Sequence, residues 1–119
     1  MKKSIAYQKA FIFAVNIVKF CRVLKKEEHE FDLANQLQRS GTSIGANLAE
    51  ANGAISDADF SNKVSIAYKE TLETKFWLDL FLAVEFIPEE QYHILFYSAD
   101  EIARILFSIL KTTRIHKKQ

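Results

Sequence analysis

Apolar residues recur at three- and four-residue steps in four long stretches of this chain. That spacing places them on one face of a helix at about 100° per residue. The first helix is predicted from Ser4 to Lys25, with Ser4 as its N-cap. Ala6, Ala10, Phe13, Ile17, Phe20 and Leu24 form its main stripe. Tyr7, Phe11, Val15 and Val18 widen the stripe past half the circumference, more than one facing helix covers. Lys25 and Lys26 suit the negative end of the helix dipole.

The second helix is predicted from Glu30 to Asn52 and carries three stripes. Leu33, Leu37, Ile44, Leu48, Ala51 and Ile55 share the apolar one. Gln36, Arg39, Ser43, Asn47 and Glu50 share a polar one. Gly41, Gly45, Ala49 and Gly53 follow at four-residue steps on the third. Glycine costs roughly 0.8–1 kcal/mol against alanine inside a helix. Two in mid-helix are therefore expected to admit a neighbouring backbone, as small-residue stripes do. The alternative is a kink or fray at Ser40-Gly41.

After a turn at Asn52–Ile55, Ser56 with Asp59 three residues on makes a start like a capping box. The third helix is predicted from Asp57 to Phe86, roughly 45 Å at the usual rise. Phe60, Val64, Ala67, Thr71, Leu78 and Leu82 form its main stripe. Ile66, Trp77, Leu80 and Val84 form a second, with Glu70 and Glu73 among them. A helix apolar on two sides is buried on two sides, so the second stripe predicts a subunit contact. Pro88 is expected at the first position of the fourth helix, with Glu89 and Glu90 in its first turn. Tyr92, Leu95, Ala99, Ile102, Leu106, Ile109 and Thr113 carry that helix onward, and Asp100 and Arg104 are placed to pair. Short connections between four helices give an all-α, antiparallel up-down-up-down four-helix bundle, one domain across residues 1–119.

Composition agrees: 49% of residues are apolar and 26% charged, with only three glycines and one proline. The net charge of +1 gives no global attraction to nucleic acid or membrane. Cys21 is the only cysteine, which excludes an intrachain disulfide and fits a cytoplasmic protein. Lys2 and Lys3 before an apolar segment resemble the start of a signal peptide, but Gln8, Lys9, Asn16 and Lys19 interrupt it. Arg39, Asn47 and Glu50 likewise interrupt any run of membrane-spanning length in the second helix.

Candidate chemistry is sparse. A di-iron bundle needs two Glu-x-x-His pairs, and Glu90-x-x-His93 is the only one here, so no metal and no cofactor are expected. Glu70 and Glu73 could form an acid–base pair, yet no nucleophile, phosphate loop or cofactor fingerprint accompanies them. Semi-buried carboxylates beside Trp77 need partners. Arg39 is the best placed, then Lys63 and Lys69, with Asn47 and Glu50 extending the network. No catalytic residue is assigned. Lys2, Lys3, Arg114, Lys117 and Lys118 gather at one end of an antiparallel bundle, where a ring would repeat them around its rim as a candidate phosphate contact. The sequence shows none of the aromatic and basic interleaving typical of single-strand binding.

The pieces RSGTSIGANLAEA (39–51), SDADFSNKVSIAYKETLETKFWLDL (56–80) and EIARILFSILKT (101–112) resemble a bacterial four-helix-bundle family. It includes proteins encoded in intervening sequences of large-subunit ribosomal RNA genes. The resemblance implies a homopentamer, five bundles forming a barrel. Ser43, Asn47, Glu50, Glu70 and Glu73 match recurring family positions, and no established catalytic role comes with them. A related branch, the accessory variability protein of diversity-generating retroelements, joins a reverse transcriptase to nucleic acid through a strongly basic surface. This nearly neutral chain departs from that pattern. The expectation is a non-enzymatic oligomeric interaction protein whose first partner is itself, with RNA or a second protein as a further partner and no membrane or small-molecule substrate. A nucleic-acid-binding accessory protein is the alternative, and a metal-dependent enzyme the third reading.

Overall fold

The Ser4 side chain accepts a hydrogen bond from the Tyr7 N–H at 3.1 Å, and the first helix begins behind this cap. In the computed structural model, which describes residues 4–117 and their side chains as far as residue 113, four helices follow in order. They are α1 (Ile5–Glu28), α2 (Asp32–Asn52), α3 (Asp57–Ala83) and α4 (Glu89–Lys117). Each packs on its chain neighbours, and α4 returns to α1 to close the bundle, an elongated body of 52 × 24 × 22 Å. The predicted α1 stripe, Ala6 through Leu24, is wholly buried. It meets Leu37 and Ile44 of α2, Val64, Leu78 and Phe81 of α3, and Ile102 and Leu106 of α4 in one core.

Helix ends explain where the sequence expectation misses. The third helix stops at Ala83 rather than Phe86. Glu85 takes a left-handed φ of 64°. The Phe86 N–H then reaches back to the Phe81 carbonyl (2.8 Å), and the Glu85 N–H to Leu82 (3.1 Å). This pair of bonds is a Schellman motif, and the Phe81 and Phe86 rings pack edge to face across it, as its usual hydrophobic contact requires. Glutamate stands where glycine normally signals such an end. Pro88 precedes the fourth helix instead of opening it: its carbonyl accepts the Tyr92 N–H at 2.9 Å, which makes it the N-cap. That helix also continues past Thr113 to Lys117. The second begins at Asp32, later than Glu30, whose carboxylate caps the Leu33 N–H at 3.2 Å. At the start of α3, Ser56 Oγ accepts from the Asp59 N–H (3.0 Å), while Asp59 accepts from the N–H of Ile55 (3.3 Å). The bond that closes a capping box at Ser56 is thus displaced by one residue.

The second helix runs unbroken through Ser40-Gly41, so it does not fray there. Gly41 and Gly45 face α1. A Cβ built on Gly41 would lie 2.9 Å from Ile17 Cγ2, with Ile17 Cγ1 at 3.1 Å and Cβ at 3.4 Å. Ile17 is buried and branched at Cβ, so it has little room to yield. At Gly45 the nearest atom is the Ala10 carbonyl oxygen at 3.6 Å, ordinary contact. The close approach thus holds at Gly41, against a side chain rather than the expected backbone. Of the other small positions, Gly53 serves as the C-cap and Ala49 is exposed. Gly41→Ala is expected to lose about 1–2 kcal/mol, as overpacking outweighs the gain in helix propensity. Gly45→Ala is expected to be neutral or to gain up to about 1 kcal/mol. Urea denaturation of both variants at one protomer concentration checks the pair; equal effects would contradict it.

Candidate interaction surfaces

Along the outer edge of the α2–α3 contact, the predicted network divides. Arg39 reaches across to both Glu70 (Nη1–Oε2, 3.3 Å) and Glu73, and the Trp77 indole N–H donates to Glu73 at 3.1 Å. Burial works against the guanidinium charge, but the bond to Glu73 and the charges of both carboxylates outweigh it and hold its pKa above the ordinary value. Two carboxylates held by one arginine are a structural clamp, not a free acid–base pair. Glu50 belongs to a separate pair with Lys63 at 3.1 Å. Ser43 and Asn47 do not bridge the two: the Ser43 hydroxyl donates to the Arg39 carbonyl (2.6 Å) and the Asn47 amide to the Ser43 carbonyl (2.9 Å), both within α2. Lys69 is exposed and outside the network.

Behind the clamp lies a polar contact that periodicity does not reveal. Ser40 and Thr74 are fully buried, and their hydroxyl oxygens lie 2.9 Å apart, with the Glu70 carbonyl 2.7 Å from Thr74 Oγ1 and the Leu37 carbonyl 3.3 Å from Ser40 Oγ. A serine directly before a glycine reads as a breaker in sequence, which hides its role in the core. Cys21 is also core: its Sγ lies 3.4 Å from the Ala34 carbonyl. Burial pushes the thiol up to about 11, against the opposing charge of Lys25.

The apolar residues expected at a subunit contact stand beside the clamp. Ile66, Trp77 and Leu80 are half-buried, and Val84 is exposed. The exposed stripe is wider than predicted, because Leu72 and Phe76 join it, and Phe76 is 57% exposed with its ring edge-on to Trp77. Diagonally across the bundle, Phe11, Ile12 and Val15 of α1 are exposed as well. Lys2, Lys3 and Lys118, with the side chains of Arg114 and Lys117, lie outside the described residues. Of the single Glu-x-x-His pair, His93 lies 3.6 Å from Glu89 at the surface. Among the described residues, no three metal-ligating side chains gather, and no helix is long and apolar enough to cross a membrane. A groove where α1 meets the α3–α4 turn has an apolar floor that includes Phe20 and Leu24, beneath the carboxylates Glu27, Glu28, Glu85 and Glu89.

Between α3 and α4, Asp100 is held by Lys75 Nζ (2.8 Å) and, as its spacing predicted, by Arg104 Nε (2.8 Å). The bond from Lys75, then that from Arg104, outweigh burial and keep the carboxyl below the usual range. Nearer the α3–α4 turn, the Tyr92 hydroxyl donates to Asp79 at 2.5 Å. Burial and that carboxylate push the phenol up to about 12. Since the folded-state pKa of Asp100 lies below its unfolded value, its contribution to stability is present above about pH 4 and is lost as pH falls through the folded value. Asp100→Asn is expected to cost about 1 kcal/mol at neutral pH. Denaturant titrations across a pH series check this: the gap between the two proteins should close on acidification, and a constant gap would contradict it.

Comparison with known proteins places this geometry. A crystal structure of a protein of unknown function from the S23 ribosomal protein family of Bacteroides thetaiotaomicron is 46% identical, covering 90% of this chain and 99% of that one, with a TM-score of 0.88. No curated protein matches. The family model described as 23S rRNA-intervening sequence protein matches residues 2–108. With that match over most of its length, the chain belongs to the 23S rRNA-intervening sequence protein family.

Proposed function

We propose that this protein is a non-enzymatic, cytoplasmic scaffold that works as a ring of identical subunits. The observation that carries the reading is the pair of exposed apolar faces on diagonally opposed helices. On α3 these are exposed Phe76 and Val84 beside half-buried Ile66, Trp77 and Leu80. On α1 they are Phe11, Ile12 and Val15. Exposed apolar surface of this extent marks an interaction site. Two different faces on opposite sides suit a head-to-tail contact, in which each copy offers one face to the next and the ring closes by rotation. A two-fold dimer would use a single face twice. Five subunits is the number the family resemblance implies. The Arg39 clamp supports the same reading, because it stiffens α3 directly beside Trp77.

Size exclusion with light scattering is expected to find a ring in the wild type and single protomers in Phe76→Glu and in Phe11→Glu. Each variant keeps one intact face. Mixing the two is therefore expected to give a dimer joined through the two undamaged faces. A wild type that stays monomeric when concentrated would overturn the proposal, and so would a mixture that fails to pair.

A further inference from the structure

The α3–α4 face brings together what the sequence holds apart. On α3, Tyr68, Leu72 and Lys75 border a shallow cleft whose other wall is Asp100, Arg104 and Phe107 of α4. The Tyr68 and Phe107 rings meet at 5.9 Å, and Phe107 remains half-exposed. Arg104 spends its Nε on Asp100, and its side chain is 81% exposed. Exposed Lys111 follows one turn beyond Phe107 on α4. Asp100 is the sole carboxylate in this group and is already held by two cations. The result is a local excess of positive charge on a chain with a net charge of only +1. On α4, Phe107 stands between Arg104 and Lys111, and Tyr68 and Lys75 of α3 face them across the cleft.

We propose that this face binds a single strand of nucleic acid, with one base stacked on Phe107 beside Tyr68 and the flanking phosphates met by Arg104 and Lys111. Stacking fits an exposed ring because every base offers a flat face, and the cations on either side match a backbone charged at each nucleotide. No side chain here is fixed so as to read a base edge, so recognition is of the strand rather than of its sequence. The site is distinct from the basic cluster at the bundle end and does not depend on subunit number.

The test is fluorescence anisotropy of the full chain with a labelled oligouridylate of about twelve nucleotides, a length within the range that strand-binding folds cover. Oligothymidylate and an RNA duplex of the same length serve as parallel probes. Phe107→Ala is expected to weaken single-strand binding about tenfold. Arg104→Ala and Lys111→Ala are each expected to reduce the slope of log affinity against log salt by about 0.7. Binding of either single-stranded probe on these terms supports the site, and the two probes tell whether the ribose matters. The proposal is overturned if the duplex binds as tightly, if Phe107→Ala changes nothing, or if Phe107→Ala alters the subunit number and so marks the face as a subunit contact. Light scattering on the same samples reads assembly separately, so failure of the ring and failure of the strand site are distinguishable.

Discussion

Three successive residues of α2 set the geometry of the bundle. Turning about 100° at each step, Arg39 reaches outward to the carboxylates of α3, Ser40 inward to Thr74, and Gly41 sideways to Ile17 of α1. The three contacts differ in kind and so constrain different motions. The buried hydroxyl pair is directional and leaves an unsatisfied polar group if α2 slides along α3. The glycine contact is steric and fixes how closely α1 approaches. The arginine clamp is half-exposed and weak by itself, but it bridges residues on two turns of α3 and so resists rotation. Hydrophobic burial alone would tolerate many registers among helices this regular. One short segment selects among them.

A fixed register also fixes what the bundle leaves outside. A helix with two neighbours cannot bury its whole circumference, and α1 and α3 are apolar around more of theirs than the bundle covers. Burying a single valine, leucine or phenylalanine side chain is worth about 1.5–3 kcal/mol. The exposed residues on these two helices together therefore represent a free energy comparable to the net stability of a small domain, about 5–15 kcal/mol. Lattices of salt bridges at the rim do not offset such a term, whereas association does. The proposed self-assembly thus draws on the same periodicity that builds the core.

Much of this is legible in the sequence. The α1 stripe is buried residue for residue, and Arg39 meets Glu70 and Glu73 because carboxylates at the edge of an apolar stripe need a cation within reach. What escapes has physical reasons. The end of α3 carries no glycine, because Glu85 accepts the left-handed conformation and the aromatic pair Phe81–Phe86 stabilises the motif from outside the backbone. Phe76 looks like a core residue by type, but its place in the helical repeat, nearly opposite the buried stripe of Val64, Thr71 and Leu78, turns it to solvent. Ser43 and Asn47 share a stripe with Arg39, yet their short side chains find backbone carbonyls one turn back before they can span the gap to α3.

Net charge conceals a further layer. A total of +1 argues against nucleic acid only if charge is spread evenly, and here it is not. Carboxylates crowd the groove beside the α3–α4 turn, with Glu27, Glu28, Glu85 and Glu89 at its rim. Arg104 and Lys111 lie along the α3–α4 face, separated from that groove by much of the length of α4. At physiological ionic strength, interactions between exposed charges are largely screened beyond about 8 Å. A strand on the α3–α4 face would therefore feel its nearest cations and little of the distant acids. Aromatic and basic residues need not alternate along one helix to make such a surface; two antiparallel helices, each supplying part of the pattern, place them side by side.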